Sequence, residues 1–189
     1  MTSLVDAPSG ISIEEWRPDL ADGAARLEAD LDMLADVLHA VVHDGAGVSF
    51  IVPFSHADAR GFWDKVLPGV RNRSRRVLVA RRGDRIVGTV QLELAMPPNQ
   101  QHRGEVLKLL VHPGSRRLGI ARALMIALER VAHAAGKTLL TLDTWTGRAA
   151  EDLYRSLGYK VAGIIPKFAR GSTTPELEPA TIMYKDLGG

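Results

Sequence analysis

The 189-residue sequence contains no cysteine. That excludes a disulfide framework, a thiolate metal site and a cysteine acyl-enzyme, and it is compatible with a reducing cytoplasm. Long hydrophobic runs are also missing. The opening MTSLVDAPSG carries neither a basic patch nor an apolar stretch, so it does not resemble a signal peptide. No segment approaches the length needed to cross a bilayer. Charge of one sign is scarce as well: the formal net charge is +2, which gives a nucleic-acid role no support. The one basic run, residues 71–76, is expected to be a solvated approach to a strand, with recognition of an anionic ligand as the alternative. No repeat or low-complexity segment is present. The expectation is a cytoplasmic protein without membrane or nucleic-acid partners.

What is present is an ordinary globular composition, 46% apolar and 24% charged. The length suits one domain over residues 11–189 behind a flexible tail at residues 1–10. Residues 11–17 alternate as a short strand. From 19 to 43 the pattern is helical, with Leu20, Leu27, Leu31, Leu34, Leu38 and Val42 as its apolar stripe. Ser55 or His56 opens a second helix, which Pro68-Gly69 is expected to end. Residues 76–80 and 85–94 form a hairpin around Arg82-Gly83-Asp84. Strands follow at 106–111 and 138–143, joined by a helix, then a helix from about 148 to 157. Strands at 159–165 and 180–185 close the chain, with a long loop at 166–179 between them. This order predicts an α/β fold with a mixed sheet and a parallel centre, the two central strands linked by the crossover helix. Ligands of such sheets sit beyond the carboxyl ends of the strands, here at Val111 and Asp143.

Residues 106–136, VLKLLVHPGSRRLGIARALMIALERVAHAAG, organise the rest. An apolar strand turns at His112-Pro113-Gly114-Ser115 and presents Arg116, Arg117, Leu118, Gly119, Ile120 and Ala121 at the start of a helix. Ile120, Leu124, Leu128, Val131 and Ala135 recur at helical spacing, and Gly136 suits the cap. Unpaired N–H groups and the helix dipole make that end an anion site, and Gly119 and Ala121 leave room for a phosphate to approach. The same residues also suit a plain strand–helix unit with no ligand at its turn, because the lysine of a P-loop and the three glycines of a dinucleotide fingerprint are missing.

Arg-x-x-Gly-x-Ala between an apolar strand and a helix resembles the pyrophosphate loop of the GNAT family of N-acetyltransferases. Leu142-Asp143-Thr144, Ala150 and Leu153-Tyr154-Arg155-Ser156-Leu157-Gly158-Tyr159 resemble that family's second block. Within the family the chain looks most like the tabtoxin-resistance type, on Leu-Asp-Thr ahead of Gly147 and Ala150-Glu151, on Pro166, and on the terminal strand. The resemblance implies the acyl-CoA N-acyltransferase fold: a mixed, mostly antiparallel sheet whose central strands splay to admit a pantetheine arm. It implies acetyl-CoA as co-substrate and a small-molecule amine as acceptor, with toxins and antibiotics as candidates. No metal is expected, since His39 and His43, four apart on a helix, lack the intervening glutamate of a zinc hydrolase. A protein N-terminal or lysine acetyltransferase and a non-catalytic acetyl-CoA sensor are the rival readings.

Such a transfer assigns roles. The phosphates would take the backbone of Arg117 to Ala121, with charge from Arg116, Arg117 and Arg122. The pantetheine amides would pair with Leu109, Leu110 and Val111 by strand addition. A backbone N–H near Leu110 or Val111 would stabilise the thioester oxygen by about 3–4 kcal/mol. A lysine-like amine is protonated at neutral pH, and exposing its lone pair costs roughly 4–5 kcal/mol. Glu105 or Asp143 would accept that proton, directly or through water. Tyr154, by the resemblance, would return one to the departing thiolate. Each has a plainer reading: Tyr154 packing a helix, Asp143 capping a loop, Glu105 facing solvent. The family's second block often holds asparagine where Gly147 stands, so a side-chain contact from there is lost. The acceptor pocket is expected to be built from residues 44–50, Glu105, Asp143 and the 166–179 loop. Trp145 is either its wall or packing beneath that loop. An edge strand near the C-terminus leaves a homodimer open.

Overall fold

The computed structural model of the protein describes residues 4–20 and 23–188. Seven strands form one sheet in the order β1-β2-β3-β4-β5-β7-β6. They are β1 (Ser12–Glu15), β2 (Arg75–Arg82), β3 (Arg85–Glu93), β4 (Arg103–Val111), β5 (Leu139–Trp145), β6 (Lys160–Arg170) and β7 (Leu177–Asp186). Every neighbouring pair is antiparallel except β4–β5, which is parallel. Helices α1 (Ala24–His43) and α2 (His56–Arg71) cover one face, and α3 (Ile120–Ala134) and α4 (Ala149–Ser156) the other.

Alternation along the strands supplies both cores. Leu78, Val90, Leu92, Val106, Leu140 and Leu142 meet Leu124, Met125 and Leu128 of α3. On the opposite face Val77, Val79, Ile86 and Leu110 meet Leu31, Leu34 and Leu38 of α1 and Trp63 of α2. Burying each of these large side chains contributes about 1.5–3 kcal/mol, before the entropy of ordering it is subtracted.

The structure departs from the sequence-based expectations in several places. The tail is docked from residue 4 onward: Val5 is buried among core residues, and the Leu4 N–H donates to the Ile13 carbonyl. Residues 1–3 lie outside the described residues, as do residues 21 and 22 and the Leu20 side chain at the start of the expected first helix. α2 runs through Pro68 to Arg71, because buried Val66 and Val70 pin its last turn to the core. The basic run at 71–76 is not merely solvated: Arg75 pairs with Glu93, Arg76 with Glu15 and Arg71 with Asp19.

The largest correction concerns residues 166–179, which are not a long loop. β6 and β7 extend into them as a hairpin whose register shifts between Ile165 and Ala169, leaving only residues 171–176 as the connection. The extra strand length is exposed on both faces, so no period of buried apolar residues marked it.

One feature of the sheet positions everything that follows. β4 and β5 pair only at Arg103↔Leu139, Gly104↔Leu140 and Glu105↔Thr141, although both strands continue. The β3–β4 register slips between Thr89/Leu110 and Gln91/Leu107, which inserts a bulge at Lys108–Leu109. A bulge bends its strand. Past Glu105, β4 therefore swings away from β5 and a gap opens in the middle of the sheet.

Candidate active site

The gap has two mouths, and the first is built by the turn after β4. Arg117 and Gly119 both have left-handed backbone, φ 63 and 78, and α3 starts immediately after them. The Ala123 N–H is already bonded to the Gly119 carbonyl, so the free donors are the N–H groups of the helix's first residues. Around them lies a pocket of about 210 Å³ lined by Val111, Ser115, Arg116, Arg117, Gly119, Ile120, Ala121, Arg122 and Leu153. Free N–H groups, a helix N-terminus and two left-handed residues make an anion cradle, and these residues fit a diphosphate. Of the three arginines, Arg116 is already engaged by Asp44 at the end of α1, 2.5 Å away, and Arg122 donates to Ser156 Oγ at 2.7 Å. Arg117 is exposed.

Between this pocket and the rest of the gap runs the free edge of β4. The His112 N–H donates to Val87 on the β3 side. Strand alternation therefore turns the Val111 N–H and carbonyl toward the gap. Of the two residues considered for the thioester oxygen, Val111 thus has the suitable direction, while the Leu110 side chain is buried in the α1–α2 core.

The second mouth lies on the α1–α2 face. Thr141 is the last residue of β5 paired with β4, so Asp143, two further on, shares its face but stands beyond the parting. Its side chain is exposed. Glu105 sits where the strands are still joined, at the closed end of the gap, with Arg103 at 3.5 Å. Arg103 also donates to Thr141 Oγ1 at 2.7 Å. The structure thus brings Asp143 and Glu105 to one face and separates them along it.

Tyr154 of α4 approaches from the other face. Its ring is buried, 5.7 Å from that of Tyr159. Burial pushes the hydroxyl's pKa above the ordinary tyrosine range, and the Asp143 charge adds to the shift. A hydroxyl so placed keeps its proton at neutral pH, as a proton donor must.

The turn between β5 and α4 is held by Glu151. Its Oε2 accepts from the Gly147 N–H at 2.7 Å and from Thr181 Oγ1 at 3.3 Å, and its Oε1 from Arg155 at 2.6 Å. The Gly147 hydrogen bond, followed by Arg155, draws its pKa below the usual carboxylate value.

Two segments close over the second mouth. The connection between α1 and α2 reaches the hairpin connection, where the Val52 N–H donates to the Ser172 carbonyl at 2.9 Å. Trp145, at the end of β5, lies against Gly47 and under the Arg148 guanidinium, 5.6 Å from its ring centroid. Trp145 thus touches the α1–α2 connection. Sequence reasoning missed Lys108, which enters the same space from the bulge. Its signal was a lone charge in the otherwise apolar run from Val106 to Val111.

The mixed seven-stranded sheet with its parted central pair and flanking helices is the acyl-CoA N-acyltransferase fold. The chain matches the Acetyltransferase (GNAT) family over residues 41–159, and it belongs to that family: it is an N-acetyltransferase. It is 32% identical over 117 residues, 60% of this chain and 67% of the other, to the uncharacterized N-acetyltransferase in the hisH-hisA intergenic region of Azospirillum brasilense. Among solved structures it superposes on an N-acetyltransferase from Staphylococcus aureus Mu50 with a TM-score of 0.74. That match has 17% identity and covers 94% of this chain and 99% of that one. It superposes on yncA from Salmonella typhimurium, solved with its cofactor acetyl-CoA, with a TM-score of 0.71. There the identity is 17% and the coverage 95% of both chains. At such identities the structural likeness speaks for the fold alone.

Proposed function

We propose that the protein transfers an acetyl group from acetyl-CoA to a small-molecule amine by direct attack within a ternary complex. The carrying observation is the gap between β4 and β5, with an anion cradle at one mouth and a charged, covered space at the other. The phosphates take the N–H groups after Arg117, and the Val111 backbone is the hydrogen-bonding edge for the pantetheine arm or the thioester oxygen. The amine enters beside Asp143, which accepts its proton directly or through water. Glu105 is the alternative acceptor, lying farther down the closed end. The nitrogen lone pair attacks the thioester carbonyl carbon, the carbon–sulfur bond breaks and Tyr154 gives its proton to the thiolate, while the second proton shed by the nitrogen as the amide forms returns to the Tyr154 oxygen.

Closure of the acceptor side by the Val52–Ser172 hydrogen bond and the Gly47–Trp145 contact supports a small acceptor over a protein segment lying in an open groove. The narrower likeness to the tabtoxin-resistance type, and with it a toxin or antibiotic acceptor, rests on Leu142-Asp143-Thr144, Gly147, Ala150-Glu151 and Pro166. The exposed edge strand β6 with Ile164, Ile165 and Phe168 supports a homodimer, which sedimentation would check.

The test is calorimetry with acetyl-CoA followed by thiol release over a panel of amines, with Tyr154→Phe as the control. Binding together with turnover above that control supports the reading. Tight binding with no amine turned over favours a sensor, and no heat of binding removes the coenzyme site altogether.

A further inference from the structure

Lys108 occupies the bulge of β4 with a left-handed backbone, φ 51. Its ammonium donates to Ser49 Oγ at 3.1 Å and stands 5.7 Å over the Phe50 ring. Ser49 is itself left-handed, φ 72. Non-glycine residues in this region are strained and persist only where their surroundings over-determine them. Here the surroundings are firm: the Phe50 ring packs against Phe54 and Phe62, with centroids 4.7 and 5.4 Å away. Strained strand, strained loop and aromatic wall together aim one ammonium into the covered mouth.

The charges around it are unequal in their pairing. Arg75 is bonded to Glu93, and Arg103 to Glu105 and Thr141. Among the described residues Lys108 forms no ion pair within 4.0 Å, and the hydroxyl of Ser49 takes only one of its three donors. The backbone of Asp143 pairs with Ile182 of β7, but its side chain, facing the same space, makes neither a hydrogen bond nor an ion pair within 4.0 Å among the described residues. Burial draws the Lys108 pKa below the ordinary lysine range, with the Asp143 charge opposing and Arg75 adding. An anion brought to Lys108 would recover part of that desolvation cost. The space therefore offers one cation and one anion on opposite sides of the parting, near enough for each to feel the other's charge but not bonded to each other.

We propose that Lys108 determines acceptor specificity by taking a carboxylate carried beside the amine, so that the acceptor is an α-amino acid or a compound built like one. The ammonium of the acceptor lies toward Asp143 and its carboxylate toward Lys108, which fixes the direction from which the nitrogen approaches the thioester. The proposal rests on the acetyltransferase reading and adds the acceptor's charge pattern to it.

The experiment is thiol release from acetyl-CoA with L-amino acids and their primary amides, using the wild type, Lys108→Met and Lys108→Arg. In the wild type the acids are expected to exceed the amides by about tenfold or more in kcat/KM. In Lys108→Met that ratio falls toward one, with the loss in KM rather than kcat, and Lys108→Arg restores part of it. Calorimetry with CoA and a melting curve check that the Lys108→Met chain is folded. Equal turnover of acids and amides by the wild type overturns the proposal, as does an equal fall of kcat on both kinds in Lys108→Met, which would make Lys108 a base. Turnover of uncharged amines alone, or of none with CoA still bound, also overturns it. In the first case the acetyltransferase reading stands, and failure of CoA to bind is what sinks that reading.

Discussion

Gly47 lies against the indole of Trp145 with no room for a side chain between them: a Cβ placed on Gly47 runs into the ring. The contact ties the α1–α2 connection to the end of β5 at the covered mouth. In Gly47→Ala the indole must swing aside. The acceptor KM is expected to rise several-fold, while CoA binding, on the other side of the gap, stays within about twofold. Thiol release and calorimetry measure the two separately. An equal loss of both would mean that the contact supports the whole sheet and not one mouth.

Tyr154→Phe removes one oxygen and keeps the buried ring. The expected result is a fall in kcat of about 10²-fold or more with the acetyl-CoA KM little changed. The melting temperature should hold. A variant with full kcat would return Tyr154 to its plainer role of packing α4 on the sheet.

Asp143→Asn keeps the shape of the side chain and removes its charge. With acceptance of the amine's proton assigned to Asp143, kcat/KM for a primary amine is expected to fall by about 10²-fold at neutral pH, recovering in part at higher pH as more amine is deprotonated. Glu105→Gln is expected to cost less, since Glu105 lies at the closed end beside Arg103. The reverse ranking would move the proton acceptor to Glu105.

Gly119 has φ 78 at the first turn of α3, and left-handed backbone costs an alanine about 1–2 kcal/mol. Gly119→Ala should lower stability by roughly that amount and weaken CoA binding, as the cradle relaxes to relieve the strain. Chemical denaturation and calorimetry check the two effects. Unchanged CoA affinity would place the diphosphate elsewhere.

Glu151 supplies a pH-dependent part of the stability. Its pKa is depressed in the folded state by the Gly147 N–H first and by Arg155 next. A depressed carboxylate adds stability that is present above its unfolded pKa, near 4.3, and is lost as pH falls through the folded value. Acid unfolding below about pH 4 should therefore be less steep in Glu151→Gln than in the wild type, with about 1–3 kcal/mol less stability at neutral pH. Parallel acid-unfolding curves for the two proteins would contradict this assignment.

Much of the fold was legible locally. The α3 stripe, the hairpin turn at Gly83 and the two central strands were visible because each buries one regular face, and a regular face leaves a period in the residues. The β6–β7 hairpin was not, since its projecting part is exposed on both faces. The docked segment from residue 4 was hidden for a related reason: a single buried Val5 makes no period.

For the site the division falls elsewhere. Glycine and arginine spacing after β4, and the tyrosine of α4, were readable as a resemblance because each lies within one short continuous stretch of chain. Lys108, Ser49 and Phe50 were not readable, because 59 residues separate Lys108 from Ser49 and the contact exists only once a bulge has turned β4.

The amino-acid order alone marked α3, the β2–β3 hairpin and the parallel centre, because those depend on neighbours within a few positions. Tertiary packing alone decided where β4 parts from β5, that Arg116 is spoken for by Asp44, and that Lys108 and Asp143 come near enough to feel each other's charge. Those facts depend on which distant groups a strand meets after it bends, and no local pattern encodes that meeting.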